Sequence, residues 1–195
     1  MPNQLDPNYW TDRYLNQETG WDIGHISPPL QRFIDTLDDQ SLRILIPGAG
    51  RAYEAVYLHQ RGFTNVFVCD WAEIAFKHLK ENAPDFPKEH LLIGDFFELD
   101  IEVDLVIEQT FFCAIEPALR PRYAKKMSDI LAKNGMLAGL FFGIKFPMEG
   151  PPFGGTKEEY QAIFSPYFDI VEMETAKDSI KPRLGSELFF RMLKK

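Results

Sequence analysis

The feature that most constrains the fold is an apolar run that ends abruptly in a glycine-rich turn. Leu42 to Ile46 are followed by Pro47-Gly48-Ala49-Gly50, and a helical pattern begins at residue 51. A buried strand that leads through such a turn into a helix brings bare backbone close to a ligand and directs helix N–H groups toward it. A second apolar run, Asn65 to Cys69, ends in Asp70, roughly 20 residues past the turn, where nucleotide-binding folds carry a ribose-binding acid. The pattern predicts an adenosine-type cofactor at this edge of a sheet.

Apolar runs alternate with helical patterns along the chain, which favours a parallel sheet covered by helices. Two later strand candidates have no helical pattern between them and should pair antiparallel. The predicted fold class is α/β, with a single Rossmann-like seven-stranded sheet that is mostly parallel, has an antiparallel C-terminal strand pair and carries helices on both faces. The expected strands are 42–46, 65–69, 90–93, 103–108, 136–142, Tyr167–Met173 and Glu187–Leu193, and the expected helices are Pro29–Leu37, 51–61, 72–82 and 119–132, the last ended by Asn134-Gly135.

The length of 195 residues fits one domain, so we expect residues 1–195 to form a single unit. The first 35 residues are aromatic and loop-like up to the helix near Pro29, and we expect residues 1–35 to cover the cofactor. No apolar run approaches the ~20 residues of a membrane span, and no secretory signal is visible. We therefore expect a cytoplasmic protein with no membrane partner, present as a monomer or weak homodimer.

Charge and composition exclude several function classes. The net charge of −8 argues against nucleic acid as a partner, because phosphate binding needs a basic face. The two cysteines, Cys69 and Cys113, lie in apolar contexts and are expected to be buried and reduced. The four histidines show no ligand spacing, so we expect no metal site.

The glycine turn lacks key residues of two common phosphate-binding motifs, the dinucleotide-binding fingerprint and the phosphate-binding loop. Tyr53 stands where the third glycine of a dinucleotide-binding fingerprint is expected, and no G-K-[ST] follows. A dehydrogenase also normally needs two mononucleotide-binding halves and a substrate domain. The cofactor predicted by these features is S-adenosyl-L-methionine rather than NAD.

Several motifs, spread over nearly the whole chain, resemble those of the thiopurine S-methyltransferase family of S-adenosylmethionine-dependent methyltransferases, including its thiol/halide methyltransferase branch. The most specific are the Phe-Phe-Cys-Ala-Ile-Glu-Pro block that begins at Phe111 and the Gly-Pro-Pro-Phe loop that begins at Gly150. The other matching segments are Tyr9-Trp10-Thr11-Asp12-Arg13-Tyr14, Gly20-Trp21-Asp22-Ile23-Gly24, Ile46-Pro47-Gly48-Ala49-Gly50 and Gly94-Asp95-Phe96-Phe97.

The resemblance implies a binding site for S-adenosyl-L-methionine, which methyl transfer converts to S-adenosyl-L-homocysteine. Asp70 would bind the ribose hydroxyls, although capping of the following helix is an alternative reading. Gly48 and Gly50 would let the backbone approach the amino-acid end of the cofactor or simply allow a tight turn. Asp95 and Phe96 would contact the adenine. An aromatic trio would flank the sulfonium or merely anchor the N-terminal segment. The implied cofactor-binding residues are Trp10, Tyr14, Trp21, Gly48, Gly50, Asp70, Asp95, Phe96 and Gln109.

The resemblance also implies methyl transfer to a small thiol, thiopurine-like or halide/thiocyanate acceptor by in-line displacement. Such acceptors are anionic or nearly so and need no strong base; Phe142, Phe153 and Phe112 are the candidates for the acceptor pocket, and no catalytic residue is certain. Arg120 could contact an anionic acceptor, but we expect it to be a surface charge at a helix start. Two alternatives remain open, namely an O- or N-methyltransferase of the same fold that uses His25 or Glu108 as base, and a non-catalytic S-adenosylmethionine-binding module.

Overall fold

A computed structural model describes residues 5–148 and 150–195 and contains one seven-stranded sheet in the order β3-β2-β1-β4-β5-β7-β6. β1 to β5 pair in parallel, and β7 pairs antiparallel with both β5 and β6. The predicted fold class is confirmed. The strands are β1 (Ile44–Pro47), β2 (Val66–Asp70), β3 (Leu91–Ile93), β4 (Val103–Gln109), β5 (Leu131–Phe142), β6 (Phe168–Thr175) and β7 (Glu187–Lys194).

Local sequence explains how several helices begin. Asp6 accepts a hydrogen bond from the backbone N–H of Tyr9 at 2.9 Å, and Pro7 follows it as the first helical residue. Thr156 and Glu159 form a reciprocal capping box before α6. The helices are α1 (Pro7–Leu15), α2 (Pro28–Ile34), α3 (Tyr53–Gln60), α4 (Lys77–Asn82), α5 (Arg120–Ile130) and α6 (Lys157–Phe164), with short 3-10 turns at Glu73–Phe76, Lys88–His90, Phe96–Glu98, Pro117–Leu119 and Lys181–Arg183.

Several predicted bounds are wrong. The helix expected to end at Leu37 ends at Ile34, and the strand expected to begin at residue 136 begins at Leu131. The helix expected at 119–132 ends at Ile130, and β5 begins at once with Leu131. Asn134 has the positive φ expected of it, 64°, but it lies in the irregular start of β5 rather than at a helix end. The pairing with β4 shifts register there, because residues 132–135 loop out before Met136 resumes the ladder opposite Leu105. The helix expected at 72–82 is divided into a 3-10 turn and α4.

The sheet is buried on both faces. Ile44 and Ile46 point to one face and pack with α2, α3 and α4, whereas Leu45 points to the other and shares a core with α5 and α6. Alternate side chains of a strand go to opposite faces, so both faces need apolar residues and the central strands read as continuous apolar runs. Within the described ranges, no helix is long and apolar enough to cross a bilayer.

Candidate active site

A cleft of about 800 Å³ lies at the carboxyl ends of the parallel strands. It receives residues that follow or end β1, β2, β3, β4 and β5, and β1 and β4 are the neighbours at which the strand order reverses direction. Ligands of open α/β sheets bind at such a switch point, and the volume lies in the range of pockets that enclose a small organic ligand.

The glycine turn after β1 forms one wall of the cleft. Gly48 and Gly50 have φ of 55° and 53°, a left-handed conformation that glycine adopts at no steric cost. A Cβ at position 48 would lie 2.3 Å from Cδ2 of Phe111, so the turn also packs tightly against the segment that follows β4. Gly50 faces the N-terminal segment instead, since a Cβ there would lie 3.0 Å from the Tyr14 hydroxyl.

Asp70, at the end of β2, is fixed by backbone donors. Its Oδ2 accepts from the N–H of Gly50 and its Oδ1 from the N–H of Ala72, each at 2.9 Å. Burial raises the pKa of this carboxyl, and the backbone donors oppose the rise. Asp70 does not cap the following helix, since Ala72 is the N-cap residue of the 3-10 turn Glu73–Phe76 and no side chain caps that turn. Each carboxylate oxygen keeps a second lone pair for a ligand hydroxyl.

Asp95 follows β3 in a comparable position. Its Oδ1 accepts from the N–H of Phe97 at 2.9 Å and so caps the 3-10 turn Phe96–Glu98. Both Phe96 and Phe97 contribute to the cleft wall, but Phe96 is only 3% exposed and packs edge-on against Phe111. Phe97 is more exposed, and the guanidinium of Arg122 lies 4.4 Å from the centre of its ring.

The N-terminal aromatic trio also lines the cleft. The ring of Trp21 meets Trp10 edge-to-face at a centroid distance of 5.6 Å and Tyr14 at 5.7 Å. Burial is the main cause that raises the pKa of Tyr14, and the nearby Asp70 carboxylate adds to it, so this phenol stays neutral. Edge-to-face packing orients the rings relative to one another and builds a shaped aromatic surface opposite the glycine turn.

Two adjacent residues, Trp21 and Asp22, fasten this N-terminal segment to the wall of the cleft. The Asp22 carboxylate pairs with Arg51 and accepts from the Tyr53 hydroxyl at 3.0 Å, both just after the glycine turn. The carbonyl of the adjacent Trp21 accepts a hydrogen bond from Nη2 of Arg183 at 2.6 Å.

Gln109 ends β4 beside the glycine turn. Its Oε1 is shielded from solvent and has no hydrogen-bond partner among residues 5–148 and 150–195. A buried polar atom without a partner costs free energy unless a ligand supplies one. The orphaned oxygen therefore fits a site that is completed by a bound molecule carrying a donor, such as an ammonium group.

Glu108 precedes it and is fully buried. Its Oε1 accepts from the N–H groups of Phe111 at 2.8 Å and Phe112 at 2.9 Å, and its Oε2 accepts from the Tyr123 hydroxyl. Burial raises the pKa of Glu108 to about 7, and these donors limit the rise. The carboxyl is occupied inside the protein and holds the chain after β4 in place.

The predicted acceptor residues have different locations. Phe142 lines the cleft and meets Phe146 edge-to-face at 5.0 Å. Contrary to the sequence-based expectation, Phe112 is not brought to the cleft. It is 1% exposed and packs against Phe141 at 4.4 Å, because β4 ends before it and the chain turns it under the sheet. Phe153 is also outside the lining, to which the same loop contributes Pro151 and Pro152.

Arg120 is not the surface charge expected. It is 6% exposed, donates to the carbonyl oxygens of Phe153 at 2.9 Å and Gly154 at 3.1 Å, and lies 4.7 Å from the centre of the Phe112 ring. A charged donor on two carbonyls anchors the loop that borders the cleft.

The cysteines and His25 form no catalytic or metal-binding cluster in the described part of the chain. Cys69 and Cys113 are free and buried, as predicted, and burial raises the pKa of each thiol to about 12. His25 lies at the cleft but is exposed, with Nδ1 2.6 Å from the carbonyl oxygen of Ile26. In the part of the chain that the structure describes, no group of three or more His, Cys, Asp or Glu could hold a metal ion.

Sequence reasoning missed Arg183, Asp22 and Trp71 as residues of the cleft. Asp22 stands in the Gly-Trp-Asp-Ile-Gly motif and could have been found there. Trp71 directly follows Asp70 and offered the same kind of signal. Arg183 lies between two strands with no motif around it, and only the three-dimensional fold brings it to the cleft.

Comparisons with known proteins agree with this geometry. The sequence model of the family Thiopurine S-methyltransferase (TPMT) matches residues 5–192. A probable thiol methyltransferase 2 of Arabidopsis thaliana is 29% identical over 191 residues, which cover 95% of this chain and 84% of that protein. Thiocyanate methyltransferase 1 of the same plant is 28% identical, with coverages of 95% and 84%.

A solved structure has a similar fold. The Burkholderia thailandensis 1,6-didemethyltoxoflavin-N1-methyltransferase, which was crystallised with S-adenosylhomocysteine, aligns with a TM-score of 0.78 at 17% identity. The alignment covers 98% of this chain and 88% of that one.

Proposed function

Because this chain belongs to the thiopurine S-methyltransferase family and is an S-adenosyl-L-methionine-dependent methyltransferase, we propose that its acceptor is a small thiol, a thiopurine-like compound, or a thiocyanate or halide ion. The observation that carries the proposal is the apolar wall at the end of β5, where Phe142, Ile144 and Phe146 face the same cleft as the glycine turn. Relatives named for thiol and thiocyanate methylation support this choice of acceptor.

We propose that the cofactor occupies the part of the cleft nearest β1 and β2. Asp70 would accept hydrogen bonds from the ribose hydroxyls, with Asp95, Phe96 and Phe97 at the adenine. The orphaned Oε1 of Gln109 has the chemistry to accept from the α-ammonium group of the methionine part. When bound, S-adenosylmethionine supplies a methyl group already activated by a positive sulfur.

The aromatic residues would stabilise that positive charge. Trp10, Tyr14 and Trp21 lie opposite the turn formed by Gly48 and Gly50. A cation held against aromatic faces is stabilised by up to ~2 kcal/mol when water is excluded. In this proposal residues 5–35 act as the cover of the active site and belong to one domain with the rest of the described chain, and residues 1–4 of the predicted cover lie outside the described residues.

The acceptor side needs positioning rather than acid–base chemistry. A thiolate, thiocyanate or halide carries its own lone pair, so an apolar wall that holds it in line with the methyl group is sufficient, and positioning can contribute ~7–11 kcal/mol. Glu108 does not suit the alternative of an oxygen or nitrogen acceptor, because its two carboxyl oxygens already accept three hydrogen bonds inside the protein.

The test is direct. Purified protein is incubated with methyl-labelled S-adenosylmethionine and, separately, with a small thiol, a thiopurine, thiocyanate and iodide, and transfer of the label is measured. We expect methylation of at least one of these acceptors and no labelling of a matched phenol or amine. Tight binding of S-adenosylhomocysteine without methylation of any sulfur or halide acceptor would contradict the proposal. Labelling of the phenol or amine instead would replace it with the alternative.

We further propose that the protein works in the cytoplasm, as a monomer or weak homodimer, on small molecules and without a nucleic-acid partner. The net charge of −8 supports the part of this proposal that excludes a nucleic-acid partner, since a nucleic-acid site needs a basic surface.

A further inference from the structure

The segment between β6 and β7 contributes one charged residue to the cleft. Arg183 is 9% exposed, lies in the 3-10 turn Lys181–Arg183 and reaches the cleft next to Phe142, with its guanidinium 5.6 Å from the centre of that ring. Lys or Arg side chains are rarely this buried without partners, so its contacts indicate what it does.

Two partners satisfy the guanidinium. Nη1 lies 3.3 Å from Oε1 of Glu187, which is 3% exposed, and Nη2 donates to the carbonyl oxygen of Trp21 at 2.6 Å. The first partner is four residues away and fixes the arginine to the start of β7. The second is 162 residues away and belongs to the N-terminal segment.

The Trp21 contact has a counterpart at the residues that follow the glycine turn. Asp22, the next residue, pairs with Arg51 and accepts from Tyr53, both of which follow the glycine turn. Asp22 thus contacts residues that follow the glycine turn, where we expect the cofactor. Trp21 contacts Arg183, which lies beside Phe142 of the acceptor wall.

We propose that Arg183 is a positioning residue that fastens the aromatic N-terminal segment across the cleft through the carbonyl of Trp21, while its contact with Phe142 places the acceptor wall relative to that segment. Without it, the segment keeps its attachment through Asp22 but loses the attachment on the acceptor side. The ring of Trp21, which orients both Trp10 and Tyr14, is then no longer held in place. The consequence for catalysis rests on the proposed function, whereas the consequence for the N-terminal segment does not.

The test compares Arg183→Met and Arg183→Lys with the wild type. Lysine keeps a positive charge opposite Glu187 but lacks the planar fork that reaches two acceptors at once. We expect both variants to increase hydrogen exchange of backbone amides in residues 7–24 and to weaken S-adenosylhomocysteine binding, each roughly tenfold, as loss of a charged hydrogen bond implies. Lysine should recover most of the thermal stability that methionine loses, without recovering the exchange protection.

Arg191→Met is the matched control. Arg191 lies on β7 and pairs with Glu172 through Nε at 2.9 Å, with 40% of its side chain exposed and no contact with the N-terminal segment among those described. This variant should leave exchange in residues 7–24 and ligand affinity unchanged.

The inference is overturned if exchange in residues 7–24 is unchanged in Arg183→Met and Arg183→Lys, or if it rises equally throughout the chain. Failure of both variants to fold would also overturn it, since Arg183 would then serve the fold rather than the segment. A wild type that binds S-adenosylhomocysteine but methylates no sulfur or halide acceptor refutes the proposed function alone, and the exchange data still decide the role of Arg183.

Discussion

Glu108 shows how a single carboxyl can link stability to pH. It is enclosed at the end of β4 with three internal donors, and burial raises its pKa from 4.5 to about 7 in the folded protein. Between these two values the folded protein binds more protons at this site than the unfolded chain does. Its contribution to the free energy of unfolding therefore decreases as the pH rises through this window.

We predict that Glu108→Gln makes the pH dependence of stability flatter. The amide is neutral at every pH and its oxygen can still accept from the N–H groups of Phe111 and Phe112. The variant should lose less unfolding free energy than the wild type between about pH 5 and about pH 8. Urea denaturation at both pH values measures the difference, and Glu98→Gln on the exposed surface serves as control. Parallel curves for Glu108→Gln and wild type would show that Glu108 stays ionised in the fold.

Asp70 carries the most specific prediction about the cofactor. Asp70→Ala should weaken binding of S-adenosylhomocysteine at least ~tenfold, since it removes charge-assisted hydrogen bonds to the ribose. Isothermal titration calorimetry measures the affinity, after circular dichroism has verified folding. Asp85→Ala is the control, because Asp85 lies at the surface with 80% of its side chain exposed and pairs with His59. Equal affinities of Asp70→Ala and the wild type would refute the ribose assignment.

At the scale of elements, the β1–α3 turn depends on the absence of side chains. Gly48 combines a φ of 55° with contact to Phe111, so a methyl group there meets both backbone strain and a steric clash. We predict that Gly48→Ala destabilises the protein by ~1–3 kcal/mol and weakens ligand binding through displacement of the turn. Urea denaturation and calorimetry measure the two effects.

Gly20→Ala is the matched control, because no heavy atom of residues 5–148 and 150–195 other than its chain neighbours lies within 4 Å of a Cβ at that position. Its stability should stay within ~0.5 kcal/mol of the wild type. A Gly48→Ala variant as stable as Gly20→Ala would mean that Phe111 moves aside without cost.

At the scale of the whole molecule, the three tryptophans converge on one cleft. Trp10, Trp21 and Trp71 all line it, although they come from the N-terminal segment and from the end of β2. We predict that S-adenosylhomocysteine changes the intrinsic tryptophan fluorescence in a saturable way and that NAD does not. The midpoint should agree with the calorimetric affinity. Calorimetric binding with unchanged fluorescence would place the ligand outside this cleft.

The sequence by itself determined the sheet and one side of the site. Apolar runs such as Leu42–Ile46, and the helical patterns between them, fix which segments are strands, because periodicity and glycine turns are local signals. Asp70 was identifiable from its spacing to the turn, since the carboxyl ends of parallel strands meet at one edge. Local signals are ambiguous at Asn134-Gly135, where the predicted helix end is wrong. Asn134 adopts the expected positive φ, but it lies within β5.

Only the tertiary structure decided the other side of the cleft. The sequence predicts Phe112 as part of the pocket wall and Arg120 as a surface charge, but both are buried. Their partners lie far along the chain, at Phe141 for Phe112 and at the carbonyl of Phe153 for Arg120. Arg183 contacts Trp21, which is 162 residues away in the sequence, and no local sequence pattern predicts that contact. Local sequence encodes periodicity and backbone conformation, whereas the burial of a charge or an aromatic ring depends on partners that only folding brings together.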